Sequence, residues 1–194
     1  MPISSVSICN MALALVGGQR IQSIELPTSV EGIMCGILYE PTVDEVLRSH
    51  EWACAIHRQE LAPLADAPIT NDFPYAYQLP QDPYCLRALN IPDAPEAVYM
   101  VEGRTLLCSL SQVKLRYIKR VIDPTQFDSL LVKTIALRLA ADLAIAVSDS
   151  QISRSQAMQL YELQLRRAIT VNALEREGPG PGDEAFTVRD AGRR

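Results

Sequence analysis

Two histidines and a cysteine have the spacing of metal ligands in this chain. His50, Cys54 and His57 are four and three positions apart, which places them on one face of any helix that extends that far. Imidazole and thiolate groups are common zinc ligands, so a metal-binding regulatory protein is one interpretation of the trio. Trp52 and Ile56 instead indicate a packed helix end, and no fourth ligand is evident in the sequence. We favour the packed helix end and expect no bound metal.

Acidic pairs are the next candidates for chemistry. Asp44-Glu45 and Asp183-Glu184 each place two carboxylates side by side, which acid–base catalysis could use, although such pairs are common on solvated faces. The sequence has no nucleophile elbow and no phosphate-cradling loop, and Gly17-Gly18 is typical of a helix end. We therefore expect a protein without enzymatic activity and without a cofactor.

A basic strand and a group of tyrosines are candidates for binding surfaces. Four basic residues that alternate with apolar ones predict a half-exposed strand with a basic outer face: Lys114, Arg116, Lys119 and Arg120. Such a face either contacts phosphate or, as we favour, is a solvated face or a protein interface. Tyrosines in the same third of the chain suit a core and a contact surface equally well. They are Tyr75, Tyr77, Tyr84, Tyr99 and Tyr117.

Composition limits the class of protein. The chain has 194 residues, 48% of them hydrophobic, and its 18 basic and 23 acidic residues give a net charge of −5. This suits one globular domain and argues against a dedicated nucleic-acid binder. No apolar run reaches the roughly 18 residues that a membrane span needs, and residues 1–5 lack the basic residues of a signal peptide. Five cysteines without a C-x-x-C pair predict reduced thiols.

Helical periodicity predicts two helices in the first third. The first ends at Gly17-Gly18, where glycine allows the left-handed conformation that often closes a helix. The second begins at Thr28 or Ser29, both of them good capping residues, and runs to about Trp52. Pro41 is expected to kink or divide this second helix because proline lacks the N–H donor.

Prolines and alternating residues predict strands in the middle third. Seven prolines between Pro63 and Pro95 exclude a long helix there. A hairpin is predicted where Val98–Val101 and Thr105–Cys108 flank Glu102-Gly103, because glycine supplies the positive φ of a tight turn. We expect this region to form one small antiparallel sheet inserted between helices.

A second helical part is predicted after the sheet. Asp123-Pro124 is typical of a helix start, and the stretch that continues to Val147 is apolar nearly all round, which predicts the most buried helix. Arg138 and Asp142 are four apart and can pair across one turn. A last helix is predicted over about 153–176. Its inward-facing residues are predicted to be Met158, Tyr161, Leu165 and Ile169.

The predicted class is therefore α+β, with a bundle of four to five helices, an inserted antiparallel sheet and a C-terminal arm. The predicted divisions are 1–62 (first part of the bundle), 63–122 (sheet), 123–177 (second part of the bundle) and 178–194 (arm).

The C-terminal arm combines a linker with residues suited to contact. Gly178–Gly182 alternates glycine with proline, which is typical of a flexible linker. Phe186 and Val188 would not be needed in a tail that only confers solubility, so we expect them to anchor the arm on a partner. Arg189, Arg193 and Arg194 complete the predicted partner-binding set.

Six short segments spread over about residues 5–175 form a recognisable series. They are Asn10-Met11-Ala12-Leu13 with Gly17, Glu45–Trp52, Tyr77–Asp82, Glu102-Gly103-Arg104, Leu115–Ile118 and Phe127-Asp128. In this order they resemble the head-to-tail adaptor proteins of short-tailed bacteriophages, also called tail tubular protein A or the tail accessory factor. The chain departs from that family at residues 53–55 (Ala-Cys-Ala), where relatives carry a polar residue and phenylalanine after the tryptophan.

The resemblance implies a virion protein made in the bacterial host cytoplasm and located at the head–tail junction. It implies a homo-oligomer, a twelve-subunit ring beneath the portal protein, which extends the DNA channel and docks the tail nozzle protein. The arm would embrace the portal. Double-stranded DNA would pass without sequence-specific binding, because acidic surfaces repel its phosphates. No membrane partner is expected.

Two other functions stay open as hypotheses. Some virion proteins of this kind cut peptidoglycan, and such a hydrolase would need a cleft carboxylate with a raised pKa and a second carboxylate at glycosidase spacing. The sequence shows no such pair. The second hypothesis is the metal-binding regulatory protein based on His50, Cys54 and His57.

Overall fold

Helices enclose a region of strands in the structure, a computed structural model that describes residues 3–65, 73–148 and 151–176. This part of the chain contains four α-helices and two small antiparallel sheets, which confirms the predicted α+β class. The helices are α1 (Ser5–Val16), α2 (Val30–Ser49), α3 (Ser129–Ser148) and α4 (Gln151–Arg176). The strands are β1 (Ile56–Leu61), β2 (Tyr75–Gln78), β3 (Cys85–Asn90), β4 (Tyr99–Glu102), β5 (Thr105–Cys108) and β6 (Val113–Lys119).

Capping residues determine where the first two helices begin and end. At the start of α1, the Ser4 hydroxyl accepts from the Ser7 backbone N–H at 3.1 Å, and the Ser7 hydroxyl accepts from the Ser4 N–H at 2.9 Å. The helix ends as predicted at Gly17, whose φ of +74° favours glycine. At the start of α2, the Ser29 hydroxyl accepts from the Gly32 N–H at 3.2 Å, in agreement with the predicted start.

The second helix is continuous across Pro41, so of the two predicted outcomes, a kink or a division, the division does not occur. Pro41 faces solvent, whereas Thr42 and Val43 directly after it are buried. Tertiary packing on that buried side keeps the helix intact despite the missing donor. The helix ends at Ser49, earlier than predicted, and a short 3-10 turn over residues 53–55 leads into β1.

The strands form two three-stranded sheets rather than the single sheet predicted over 63–122. The orders are β1-β6-β3 and β2-β5-β4, and all pairs are antiparallel. The predicted hairpin is confirmed, with Glu102 opposite Thr105 and a φ of +58° at Gly103. The first strand, Ile56–Leu61, lies in the segment assigned to the helical part, 1–62. It was missed because polar residues occupy both of its faces, which hides the alternation.

The sheet β1-β6-β3 lies between two hydrophobic cores. Ile118 and Leu86 on one face join the core formed by the four helices. Leu115 and Tyr117 on the other face join a smaller core shared with β2 and β5. The predicted half-exposed strand is confirmed for residues 113–117, where buried residues alternate with exposed Lys114 and half-buried Arg116. It is wrong at Ile118, which was assigned to the outer side and is fully buried in this central strand.

Helix α3 is the central helix, as predicted. It packs against α1, α2 and α4, and Leu131, Ile135 and Leu139 are fully buried. Asp123-Pro124 begins only a short 3-10 turn, so the predicted start is early. The helix itself starts at Ser129, and the Asp128 carboxylate accepts from the backbone N–H groups of Leu130 and Leu131, at 2.7 and 3.0 Å.

Helix α4 buries a narrower stripe than predicted. Its buried residues are Ala157, Tyr161, Gln164, Ala168 and Asn172. Met158, predicted to face inward, is 39% exposed because it lies one position from the stripe centred on Ala157 and Tyr161. Leu165 and Ile169 are half-buried at the margin of the stripe.

Candidate functional site

A cleft of about 480 Å³ opens where α2 meets the edge strands β3 and β4. Its most unusual feature is a group of arginines from four different elements. They are Arg48 (α2), Arg87 (β3), Arg104 (the β4–β5 turn) and Arg120 (directly after β6). Asp44, Tyr84, Tyr99 and Val101 also line the walls. We call this site the arginine cleft.

The Tyr84 ring organises two of these arginines. The guanidinium carbon of Arg104 lies 4.1 Å from the ring centroid, and that of Arg120 lies 4.7 Å from it. Both distances are within the range of cation–π attraction, which strengthens where water is excluded. The tyrosine thus holds two like charges close together in the cleft.

Backbone carbonyls fix the remaining side chains. The register between β3 and β6 shifts at Leu86 and again at Leu89, so each of these residues lacks a ladder partner. The Arg48 guanidinium donates to the Leu86 carbonyl, and the Tyr99 hydroxyl donates to the Leu89 carbonyl at 2.8 Å. The backbone carbonyl at each irregularity of this edge strand is thereby hydrogen-bonded by a side chain from another element.

Arg104 fixes the loop that enters β3. Its guanidinium donates to the carbonyls of Cys85 and Pro80, both at 2.6 Å. Planar guanidinium groups suit such simultaneous contacts, since their donors point in fixed directions. Arg48 and Arg104 are therefore held in place before any ligand arrives.

The charge of the cleft is strongly positive for an acidic protein. Arg120 pairs with the only carboxylate among the lining residues, that of Asp44, with an Nε–Oδ1 distance of 2.9 Å. Arg48, Arg87 and Arg104 form no ion pair with any carboxylate in the described ranges. The Nε of Arg87 is buried and finds no acceptor there. Three guanidinium charges therefore have no counterion, which favours an anionic ligand.

The acidic pair Asp44-Glu45 has a structural role in the described part of the chain. Asp44 binds Arg120, and Glu45 binds Arg138, with an N–O distance of 2.9 Å. Arg138 also binds Asp142 at 2.7 Å, which confirms that predicted pair. The two carboxylates anchor α2 to its neighbours.

The predicted basic strand face is neutralised in large part. Arg116 binds Glu51 at 2.6 Å with only 14% of its side chain exposed, and Arg120 binds Asp44. Lys114 is exposed and Lys119 is half-buried. The predicted basic outer face is therefore only partly correct: Arg116 and Arg120 are neutralised by carboxylates from α2 and the chain after it, which sequence alternation does not show, whereas Lys114 stays exposed.

The predicted metal trio does not share a helix face. His50 ends α2, and its ring lies edge-on to Trp52 with centroids 5.1 Å apart. Cys54 lies in the 3-10 turn, where burial raises the pKa of its thiol to about 11. His57 lies on β1 and packs edge-on against Tyr117 at 5.5 Å. Among the described residues, no three His, Cys, Asp or Glu side chains are grouped to hold a metal ion.

Asn172 of α4 explains why the helix end near the trio is well packed. Its side-chain oxygen accepts from the Ala53 N–H at 2.9 Å, and its amide nitrogen donates to the Glu51 carbonyl at 3.1 Å. The same nitrogen lies 3.1 Å from Nε2 of His50. All five cysteines are free thiols, as predicted, and Cys54 alone among them is not fully buried.

The carboxyl groups of Glu31 and Asp123 have clearly shifted pKa values. Hydrogen bonds at the start of α2 lower the pKa of Glu31, and hydrogen bonds with Thr125 lower that of Asp123. Both shifts favour the ionised form. A glycosidase acid would need the opposite shift.

Two helices carry apolar residues on their solvent side. On α2, Val30, Ile33 and Ile37 are 62%, 48% and 59% exposed, at the spacing of one helical face. On α4, Leu160 and Leu163 are 50% and 64% exposed. We call these the α2 stripe and the α4 stripe. Apolar residues aligned on one exposed face are typical of protein interfaces.

The predicted partner-binding residues lie outside the described ranges. They are Phe186, Val188, Arg189, Arg193 and Arg194. The predicted tyrosine group divides into two classes. Tyr77 and Tyr117 are fully buried, Tyr75 and Tyr84 are more than a third exposed, and Tyr99 is half-buried.

Sequence reasoning missed the arginine cleft. Arg48 and Arg104 lie inside segments that carry the family resemblance, and Arg120 was assigned to a strand face. Arg87 had no distinguishing signal at all. Only the antiparallel pairing of β3 with β6, and the return of the hairpin beside β3, bring the four together.

Comparison with known proteins identifies no relatives: the chain matches no protein-family model and no curated protein. No helix in the described ranges is long and apolar enough to cross a membrane.

Proposed function

We propose that this protein is a structural subunit of a phage virion, a head-to-tail adaptor that assembles as a ring between the portal protein and the tail nozzle. The observation that carries the proposal is the pair of exposed apolar stripes on α2 and α4. In a monomer, both stripes would leave apolar surface exposed to water, which is unfavourable.

Two different stripes suit a ring in particular. A ring is built from heterologous contacts, in which one surface of a subunit meets a different surface of the next. The α2 stripe and the α4 stripe lie on separate helices that both pack on α3. We expect the α2 stripe of one subunit to contact the α4 stripe of its neighbour.

The segments that resemble the adaptor family have structural roles that suit a shared fold. Trp52 is 1% exposed, and its indole N–H donates to the Val46 carbonyl at 2.8 Å. Tyr77 is fully buried, and its hydroxyl donates to the Leu110 carbonyl at 2.7 Å. Together with Arg48 and Arg104, they hold the junction between helices and strands. The resemblance therefore rests on residues that hold the fold together.

The arm and the net charge fit the same proposal. Phe186 and Val188 would anchor the arm on the portal, and the basic residues Arg189, Arg193 and Arg194 would contact acidic groups there. A net charge of −5 would let double-stranded DNA pass the ring without binding, since carboxylates repel phosphates.

Charge introduced into the α4 stripe tests the assembly. The double variant Leu160→Glu, Leu163→Glu should fold like the native chain, because both side chains are exposed, but should no longer form rings on the portal protein of the same phage. Gln159→Glu with Arg166→Gln is the matched control, since it makes the same charge change of −2 at exposed positions of the same helix outside the stripe. Sedimentation velocity with portal added measures both. Ring formation by the double variant would exclude the α4 stripe as a subunit interface.

A further inference from the structure

We propose that the arginine cleft is the binding site for residues 183–188 of the C-terminal arm, Asp-Glu-Ala-Phe-Thr-Val. The cleft has a permanent excess of positive charge and apolar walls, and this part of the arm carries two carboxylates followed by apolar side chains. The arm would therefore be held on the body of the free subunit.

Charge complementarity is the first argument. Arg48, Arg87 and Arg104 have no carboxylate partner in the described ranges. A buried guanidinium nitrogen without an acceptor, as at Arg87, makes a nearby anion more favourable. Asp183 and Glu184 would supply two negative charges to this cluster, and carboxylates match the planar donors of arginine.

The apolar part of the cleft is the second argument. Val101, one of its lining residues, is 41% exposed. Tyr84 presents an aromatic ring that is 37% exposed. Phe186 and Val188 follow the acidic pair by two to four residues, so both groups could enter one cleft of this size. Covering these walls would remove apolar surface from water.

The reach of the chain is the third argument. Asn172 ties α4 to residues 51–53, close to the end of α2 that carries Arg48. Four more residues complete the helix at Arg176, a rise of about 6 Å. Residues 177–182 then extend at most about 20 Å before Asp183. The helix that carries the arm is thus tied to the segment that follows Arg48, and residues 177–182 add this reach towards the cleft.

A nucleic acid fits the cleft less well than a short acidic segment. Phosphate backbones need a track of positive charge, whereas the arginine cleft is a local group. Glu102 adjoins the lining residues Val101 and Gly103, Asp82 lies in the loop before Tyr84, and Asp44 is part of the wall. These carboxylates would repel a long phosphate chain, which carries a charge at every nucleotide, more than a segment whose two charges can both lie among the arginines.

This contact goes beyond the proposed function, since it concerns the isolated subunit and stands or fails without any ring or portal. If both hold, Phe186 and Val188 are withheld in the free subunit and become available when the portal competes for the arm. Failure of ring assembly would leave the arm contact untouched, and the reverse also holds.

Amide hydrogen exchange of the full chain, read by mass spectrometry, tests the contact. Residues 183–188 should exchange more slowly in the protein than in a synthetic peptide of residues 178–194. This protection should stay the same when the protein is diluted, because the contact lies within one chain. Arg87→Gln should lower this protection about fivefold, because one of the charges facing the arm is lost. The Arg87 side chain makes no hydrogen bond in the described ranges, so this variant should keep the native melting temperature.

Controls and a rescue separate the contact from an indirect effect. Arg166→Gln removes the same charge from the exposed side of α4 and should leave the protection unchanged. Asp183→Asn with Glu184→Gln should lose it, and the charge exchange Arg87→Glu with Glu184→Arg should restore part of it. Equal exchange in the protein and the synthetic peptide, or protection that Arg87→Gln leaves intact, would overturn the proposal. So would protection that disappears on dilution, or a DNA duplex that binds the native protein but not Arg87→Gln.

Discussion

The helical part and the strand part of this molecule are stabilised in different ways. The core of the four helices is almost entirely apolar and extends along the whole of α3. The core between the two sheets is smaller, and four side-chain groups around it donate to backbone carbonyls. They belong to Tyr77, Tyr99, Arg104 and Tyr117.

This difference follows from the strands themselves. The strands are short, and β3 is irregular at Leu86 and Leu89, so the ladder leaves carbonyls without partners. Helices satisfy their own backbone and need only apolar packing against each other. The helical core is therefore held mainly by apolar packing, the strand part relies more on particular polar contacts, and the arginine cleft lies where α2 meets the strands.

Truncation in the helical core should have the largest effect. Leu139→Ala removes a fully buried side chain from the middle of α3 and should lower the free energy of unfolding by about 3–4 kcal/mol, through lost burial and the cavity that remains. Urea titration measures it. Leu163→Ala is the control, since that side chain is 64% exposed and should change stability little. Similar losses in the free energy of unfolding for the two variants would contradict the view that burial in the helical core stabilises this part.

Alkaline pH should destabilise the strand part through Tyr117. Burial, with Cys85 and Asp82 nearby, raises the pKa of Tyr117 to about 12 from an ordinary value of 10.0. The unfolded chain loses this proton first, so the stability from the neutral hydroxyl is complete below pH 10.0 and disappears towards pH 12, by about 2–3 kcal/mol. Between about pH 9 and pH 11, the free energy of unfolding should fall less steeply with pH in Tyr117→Phe than in the native protein. Parallel slopes in both proteins would contradict the assignment.

Loss of the Arg104 guanidinium should come next. Arg104→Met keeps a long apolar stem but leaves the Cys85 carbonyl without this donor and removes the contact with Tyr84, which should cost about 2 kcal/mol. The control is Arg87→Met, because the Arg87 side chain makes no hydrogen bond in the described ranges. Chemical denaturation compares the two. An equal cost for both would mean that the loop entering β3 does not depend on Arg104.

The smallest effect is expected at the second irregularity of β3. Tyr99→Phe removes only the hydroxyl that donates to the Leu89 carbonyl at 2.8 Å, so we expect a loss of about 1 kcal/mol. Tyr75→Phe serves as the control, since Tyr75 is exposed and its hydroxyl has no hydrogen bond in the described ranges. Thermal denaturation resolves the difference. No change in Tyr99→Phe would show that water replaces the tyrosine at this carbonyl.

The helical part was predictable from sequence and much of the strand part was not. Gly17, Ser29 and the apolar run of α3 act locally, and each was identified from its neighbours along the chain. Strand β1 was missed because its hydrophobic face depends on pairing with β6, which is more than fifty residues away. Pro41 does not divide α2, because tertiary packing outweighs the local cost of proline in a helix.

The candidate site illustrates the same limit. The metal trio followed from assumed helical spacing, and the chain leaves the helix before Cys54. The arginine cleft depends on long-range pairing among α2, β3, the β4–β5 turn and the chain after β6. No local pattern marks such a group.

Native mass spectrometry of the full chain, alone and with the portal protein of the same phage, tests the central claim most directly. The adaptor proposal predicts a complex of the portal with a ring of this chain, with twelve copies as the resemblance implies. It also predicts that the Leu160→Glu, Leu163→Glu variant forms no such complex. A chain that stays monomeric and unbound in the presence of portal would contradict the proposed function.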